Sequence, residues 1–337
     1  MHPHRPRFSL NAWRDLVGVS IWTWCIGVAV MVRDRSDALL IGRLQGPAGV
    51  GVFAAGSELA TVPTAEVAVA ASRAIMPGLA DLRRSSDAQR EADAVVRILG
   101  VMLLFSLPAG IGISLAAGPS VVALLGYRWI EAVPVVAIVG FACAFVPFDT
   151  VGSGWLRARA ELRTLLAIIL AGVIIRVSLL CSLTVWMGLT GAAAAVGLSM
   201  MIEASLTFAV TARRLGIAFR EIREAAYRPL LAAAAMAGVL ALSGLGWMAP
   251  PPDSSSALRE LTLVIPAGAF AYGAVLAVLW LATGRREGAE ADASAVLLRA
   301  VGSLRRFRAP PRRPGELNAD VRGPNGGAVQ AERWPPP

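Results

Sequence analysis

LLAIILAGVIIRVSLLCSLTVW (165–186) is a run of about 20 residues, membrane-spanning in length, with a single charge, Arg176. The tight turn Gly188-Leu-Thr-Gly191 follows, and then AAAAVGLSMMIEASLTFAV (192–210), whose only charge is Glu203. At 1.5 Å per residue, each run crosses a hydrocarbon core about 30 Å thick as α-helix. So short a link permits only a return in the opposite direction. The pair predicts two transmembrane helices joined as a hairpin.

The same pattern extends in both directions. Apolar blocks occupy 16–32 (resuming at 38–42), 48–76, 95–117 and 129–155 before the hairpin, and 230–248 and 261–281 after it. The whole chain of 337 residues is 56% hydrophobic and 16% charged, with mean hydropathy +0.61. A soluble domain carries nearer a quarter charged residues, so lipid is the expected solvent. Barrel strands would alternate over short segments, and that pattern is not seen. The expected fold is an all-α integral membrane protein with about eight transmembrane helices.

All 32 basic residues are arginine, giving a net charge of +9. Their placement fits membrane topology better than a nucleic-acid face, so no nucleic-acid partner is expected. Arginines cluster in the N-terminal arm (Arg5, Arg7, Arg14) and around the second connection (Arg73, Arg83, Arg84, Arg90, Arg97). They recur in the fourth (Arg157, Arg159, Arg163), the sixth (Arg213, Arg214, Arg220, Arg223, Arg228) and the tail. The fifth connection has none, while the third and seventh carry only Arg128 and Arg259. Positive residues favour the inner side, which predicts a multi-pass inner-membrane protein with both termini cytoplasmic. Arg33, Arg35 and Arg43 break the alternation.

The organisation that follows is a cytoplasmic basic arm (1–14), a six-helix transmembrane lobe (15–215) and two additional helices (216–284). A basic amphipathic segment (285–308) puts Leu297, Val301 and Leu304 on one stripe and would lie on membrane lipid, with an ordinary solvated helix as the alternative. A disordered tail rich in Pro, Gly and Arg (309–337) ends the chain.

Charges within spans carry the functional signal, because an ionisable group in hydrocarbon is costly unless it lines a cavity or has a partner. Arg176 and Glu203 lie at depths roughly 4–5 Å apart along their helices, a gap that an arginine side chain covers. A salt bridge between them is preferred to direct ligand contact. Arg33 and Asp37 lie one turn apart and can pair if the first helix continues through them; on pattern alone, a loop after Val32 is equally compatible. Glu58 and Glu66 lie on the second span, where a carboxylate binds a proton or cation or is satisfied by arginines; the second reading leads. Asp149 is nearer an end of its span and is a weaker candidate. Glu91-Ala-Asp93 and Glu290-Ala-Asp292 read as solvated helix faces rather than metal-holding pairs.

Absent motifs narrow the chemistry. GxxxxGK[ST] requires a lysine, and none occurs. His2 and His4 are the only histidines and lie in the arm, so there is no HExxH and no intramembrane histidine base. Cys25, Cys143 and Cys181 are widely spaced within apolar segments and read as packing thiols. Neither a cofactor, a metal nor an enzymatic role is expected.

Arg35-Ser-Asp37-Ala-Leu-Leu-Ile-Gly42-Arg43, Gly46-Pro47, Gly49-Val-Gly51-Val-Phe53, Val62-Pro63, Ile75-Met76-Pro77 and Leu79-Ala80-Asp81 form an ordered series of short motifs. Pro108, Leu124-Leu125-Gly126-Tyr-Arg-Trp129, Ala132-Val-Pro134 and Arg157-Ala-Arg159 extend it. The series resembles the polysaccharide flippases of the MOP exporter superfamily, over residues 10–215 and mainly their C-terminal six-helix lobe. The resemblance implies a first helix running on through Asp37, with its charges bordering a central cavity. It implies transport of a lipid-linked oligosaccharide of the polyprenyl diphosphate type by alternating access. Arg33, Arg35, Asp37, Arg43 and Arg176 would then be substrate-cavity residues, and Glu58, Glu66 and Glu203 coupling or polar cavity groups.

The resemblance covers one lobe where such a fold has two. A missing N-terminal lobe is the favoured expectation, ahead of a second copy or a degenerate fragment. The competing functions are a non-transporting scaffold of an exopolysaccharide assembly complex, a membrane-embedded transferase, and a multidrug exporter of the same superfamily.

Overall fold

The computed structural model describes residues 13–82, 88–244 and 250–282, with side chains from 20–65, 88–244 and 250–282. The amphipathic segment, the tail, most of the basic arm, and the side chains of Glu66 and Arg73 lie outside the described residues.

Helix α1 (Trp13–Leu82) and helix α6 (Leu162–Leu215) are both far too long for one crossing. Straight, α6 would extend roughly 80 Å against a core of about 30 Å. Each is broken at one glycine in the left-handed region, Gly46 (φ 77°) and Gly188 (φ 60°), a backbone state that costs other residues steric strain. Both helices fold back there. A Cβ placed on Gly42 would lie 3.3 Å from Val50, and one on Gly172 would lie 3.0 Å from the Glu203 carboxylate. The expected hairpin at 188–191 is present, with its break confined to Gly188, and α1 repeats the device.

Between the hairpins lie α2 (Ala88–Leu115), the short α3 (Ala117–Leu124), a 3-10 turn (Tyr127–Ala132), α4 (Val133–Cys143) and α5 (Val146–Ala158). The span expected at 129–155 is a bent pair. The helix through Cys143 and α5 meet at 48°, with Pro147 in the first turn of α5, where its missing N–H costs nothing. Helices α7 (Phe219–Leu242) and α8 (Ser254–Ala282) pack on one another and against α2.

Among the described residues, five helices are long and apolar enough to cross a membrane, or six with the bent pair as one span. Two of the five are hairpins, which yields about eight membrane-length arms. Small residues set the close crossings: a Cβ on Gly110 of α2 would lie 2.7 Å from the Ala144 amide nitrogen beyond α4. Membrane helices gain affinity through such backbone approach, since lipid offers no hydrophobic drive between them.

The apolar interior falls into two clusters. One, toward the Gly46 and Gly188 turns, contains Ile41, Phe53, Val135, Val139, Leu180 and Val196. The other, toward the opposite end, contains Ile26, Ala29, Leu99, Trp155, Ile168 and Phe208.

Candidate functional site

The buried face of the first arm of α1 reads Ile26, Ala29, Arg33, Asp37, Ile41, so the charged pair falls between the two clusters. The first arm of α6 repeats the switch with Ile168 and Ile169, then Arg176, then Leu180. Its second arm runs from Val196 through Glu203 to Phe208. Helical spacing therefore stacks an ionic layer between two apolar ones.

The pairing differs from the sequence expectation. Arg176 does not take Glu203, nor Arg33 its own-helix Asp37. Arg176 instead donates to both oxygens of Asp37, from Nε at 2.8 Å and Nη2 at 2.5 Å. Arg33 donates from Nη1 to Glu203 Oε1 at 2.8 Å and from Nε to Asp34 at 3.1 Å. Depth alone permits either pairing, because Arg176 and Glu203 are also only three residues apart in level; the exchange reflects which faces the two hairpins turn toward each other. Asp37 and Arg176 lie nine and twelve residues from their hairpin glycines, while Arg33 and Glu203 lie thirteen and fifteen. Each observed pair is thus two or three residues apart in level, and both cross from one hairpin to the other. The Arg176–Asp37 contact is a fork, the strongest geometry available to such a pair. The helix expected to run on through Arg33–Asp37 does so.

A cavity of about 300 Å³ opens beside this layer, lined by Arg33, Asp34, Asp149, Arg176 and Glu203 with Ala142, Val146, Met200 and Ala204. Among the described residues, the hydrogen bonds of Arg33 use Nε and Nη1 and those of Arg176 use Nε and Nη2, and both residues line the cavity. Asp149, weak in the sequence reading, enters because α4 and α5 bend: residue 149 falls just after the bend, inside the span rather than near its end. Pro134 and Pro147, which open α4 and α5, were the available signal. Arg35, Arg43 and Glu58 are exposed and stand outside this cavity.

A second ionic cluster sits at the far end. Glu91, read from sequence as solvated, is 8% exposed. Its carboxylate accepts from Trp155 Nε1 at 2.8 Å and from Arg159 Nε at 3.1 Å, with a second Arg159 contact through Nη2. This pins the start of α2 to the end of α5, and the bond to Glu91 raises the Arg159 guanidinium above its ordinary range. Arg163 covers the Trp22 ring at 5.1 Å. Of the cysteines, Cys143 is buried, Cys25 half-buried and Cys181 exposed.

Residues 1–134 match the family model described as "Polysaccharide biosynthesis protein". The resemblance is to a polysaccharide biosynthesis family. An uncharacterized membrane protein in the cps region of Klebsiella pneumoniae is 24% identical over 208 residues, 61% of this chain and 42% of the relative. The fold is similar to that of the lipid II flippase MurJ in an inward closed conformation, with TM-score 0.61 and 13% identity, over 83% of this chain and 57% of that one. This chain spans about half the length of the proteins it matches. It is a multi-pass membrane protein whose fold is similar to that of MurJ.

Proposed function

We propose that this chain acts in moving a lipid-linked oligosaccharide across the bacterial inner membrane, as a lobe of an alternating-access flippase with both termini cytoplasmic. The observation carrying this reading is the ionic layer beside a cavity within the membrane domain, with two arginines, Arg33 and Arg176, in its wall. A polyprenyl diphosphate presents phosphate oxygens that planar guanidinium donors fit. Arg33 and Arg176 are the head-group contacts, Asp37 and Glu203 hold them in place, and Asp149 supplies the remaining charge on the wall. The similarity to a polysaccharide biosynthesis family and to a flippase fold supports a transporter over an enzyme.

The test is translocation of a labelled polyprenyl-diphosphate sugar in vesicles containing the full chain. Arg33→Lys and Arg176→Lys keep the charge and lose the fork. Each should lower transport roughly tenfold at unchanged protein level, the equivalent of about one lost hydrogen bond to a charged group. Wild-type transport in both variants would overturn the assignment. Capture of assembly partners with no translocation would instead identify a scaffold.

A further inference from the structure

Glu58 is exposed on the second arm of α1, on a face shared with the small residues Gly51, Ala54 and Ala65 and with Pro47 and Val62. Arg35 is exposed on the first arm, amid Trp24, Met31 and Leu39, which are also exposed. Among the described residues neither side chain has an ion-pair or hydrogen-bond partner. Arg35 precedes Gly46 by eleven residues and Glu58 follows it by twelve. Both therefore lie roughly 16–18 Å from the turn, well inside a core about 30 Å thick. An isolated charge at that depth is costly in lipid. Gly51, Ala54 and Ala65 suit close approach of another helix, as small residues do at membrane helix interfaces.

The two charges are opposite in sign and equal in depth. A two-fold axis along the membrane normal preserves depth, so it brings Arg35 of one copy level with Glu58 of another, twice over. Such self-complementarity is what an isologous interface requires. We propose that the exposed α1 hairpin docks against the same hairpin of a second copy of this chain, closed by two reciprocal Arg35–Glu58 ion pairs. The contact lies outside the charged cavity and needs nothing of its cargo.

Charge exchange tests it in vesicles of phosphatidylethanolamine and phosphatidylglycerol, with self-association of the labelled full chain read by energy transfer across a dilution series. The wild type should dimerise. Arg35→Glu and Glu58→Arg, each alone, should dissociate at roughly tenfold lower dilution, the equivalent of a strong interhelical polar contact. A mixture of the two variants should regain wild-type association, because both ion pairs are then complementary in the mixed dimer. Misfolded copies could not rescue one another, so recovery also reports folding. A second measurement uses Cys25→Ser/Cys181→Ser chains: an Arg35→Cys copy should form a disulfide with an Glu58→Cys copy under mild oxidation. A wild type that stays monomeric at every density would overturn the proposal. So would a mixture no tighter than its components, or Glu58 cross-linking only to a different polypeptide, such as a separate lobe.

Discussion

Two ionic clusters hold this bundle, one within the membrane and one at its end, and they teach different lessons. The Arg176–Asp37 and Arg33–Glu203 pairs sit between apolar layers, with the Arg176 side chain 10% and that of Asp37 14% exposed. The Arg159–Glu91 pair buries its carboxylate but leaves the arginine side chain 44% exposed. Breaking an internal pair strands a charge that cannot rehydrate. Breaking the end pair leaves a guanidinium free to turn to water. Similar distances therefore imply very different energies.

The largest effect should come from Arg176→Ala, which orphans Asp37 and should cost about 3–5 kcal/mol of stability in detergent micelles. Arg176→Met combined with Asp37→Leu removes both charges and should recover most of that loss. If the single variant is neutral, the internal layer is wetter than its geometry implies and the contrast collapses.

Glu91→Ala should cost less, about 1–3 kcal/mol, since the Trp155 N–H is left buried without an acceptor. Arg159→Ala leaves that bond in place but removes the cation from a buried carboxylate, and should likewise cost about 1–3 kcal/mol. Thermal unfolding of the two variants side by side measures how much of the end cluster belongs to the tryptophan rather than the ion pair.

Arg214 and Glu161 form a more open pair at 3.3 Å, with side chains 54% and 26% exposed. Arg214→Ala should shift stability by about 0–1 kcal/mol, and raising the salt concentration should abolish the difference. The Arg176→Ala loss should persist in the same buffer. Equal salt sensitivity of the two would place both pairs in water.

Much of the fold was legible because it rests on local properties. Apolar run length and the Gly188 turn each express one segment's balance between lipid and water, so every expected span falls on a helix, although α7 begins at Phe219, eleven residues before the apolar run that marks it. The motif order carried the resemblance for the same reason. The candidate site is only half legible: Arg176 and Glu203 stand out as charges inside apolar runs, while Arg33 and Asp37 fit a helix or a loop equally on pattern alone, and none of the four names its partner. Asp149 was undervalued and Glu91 misjudged, since neither a helix bend nor the neighbour of an exposed-looking face can be read from one segment.

Amino-acid order thus determined which residues enter the membrane and where the chain reverses, because the free energy of burying a side chain is settled residue by residue. Pairing was decided by tertiary structure. Whether Asp37 meets Arg176 or Arg33 depends on the rotation of two hairpins about their axes and on their relative depth. Those quantities belong to the packed bundle and to no stretch of its chain.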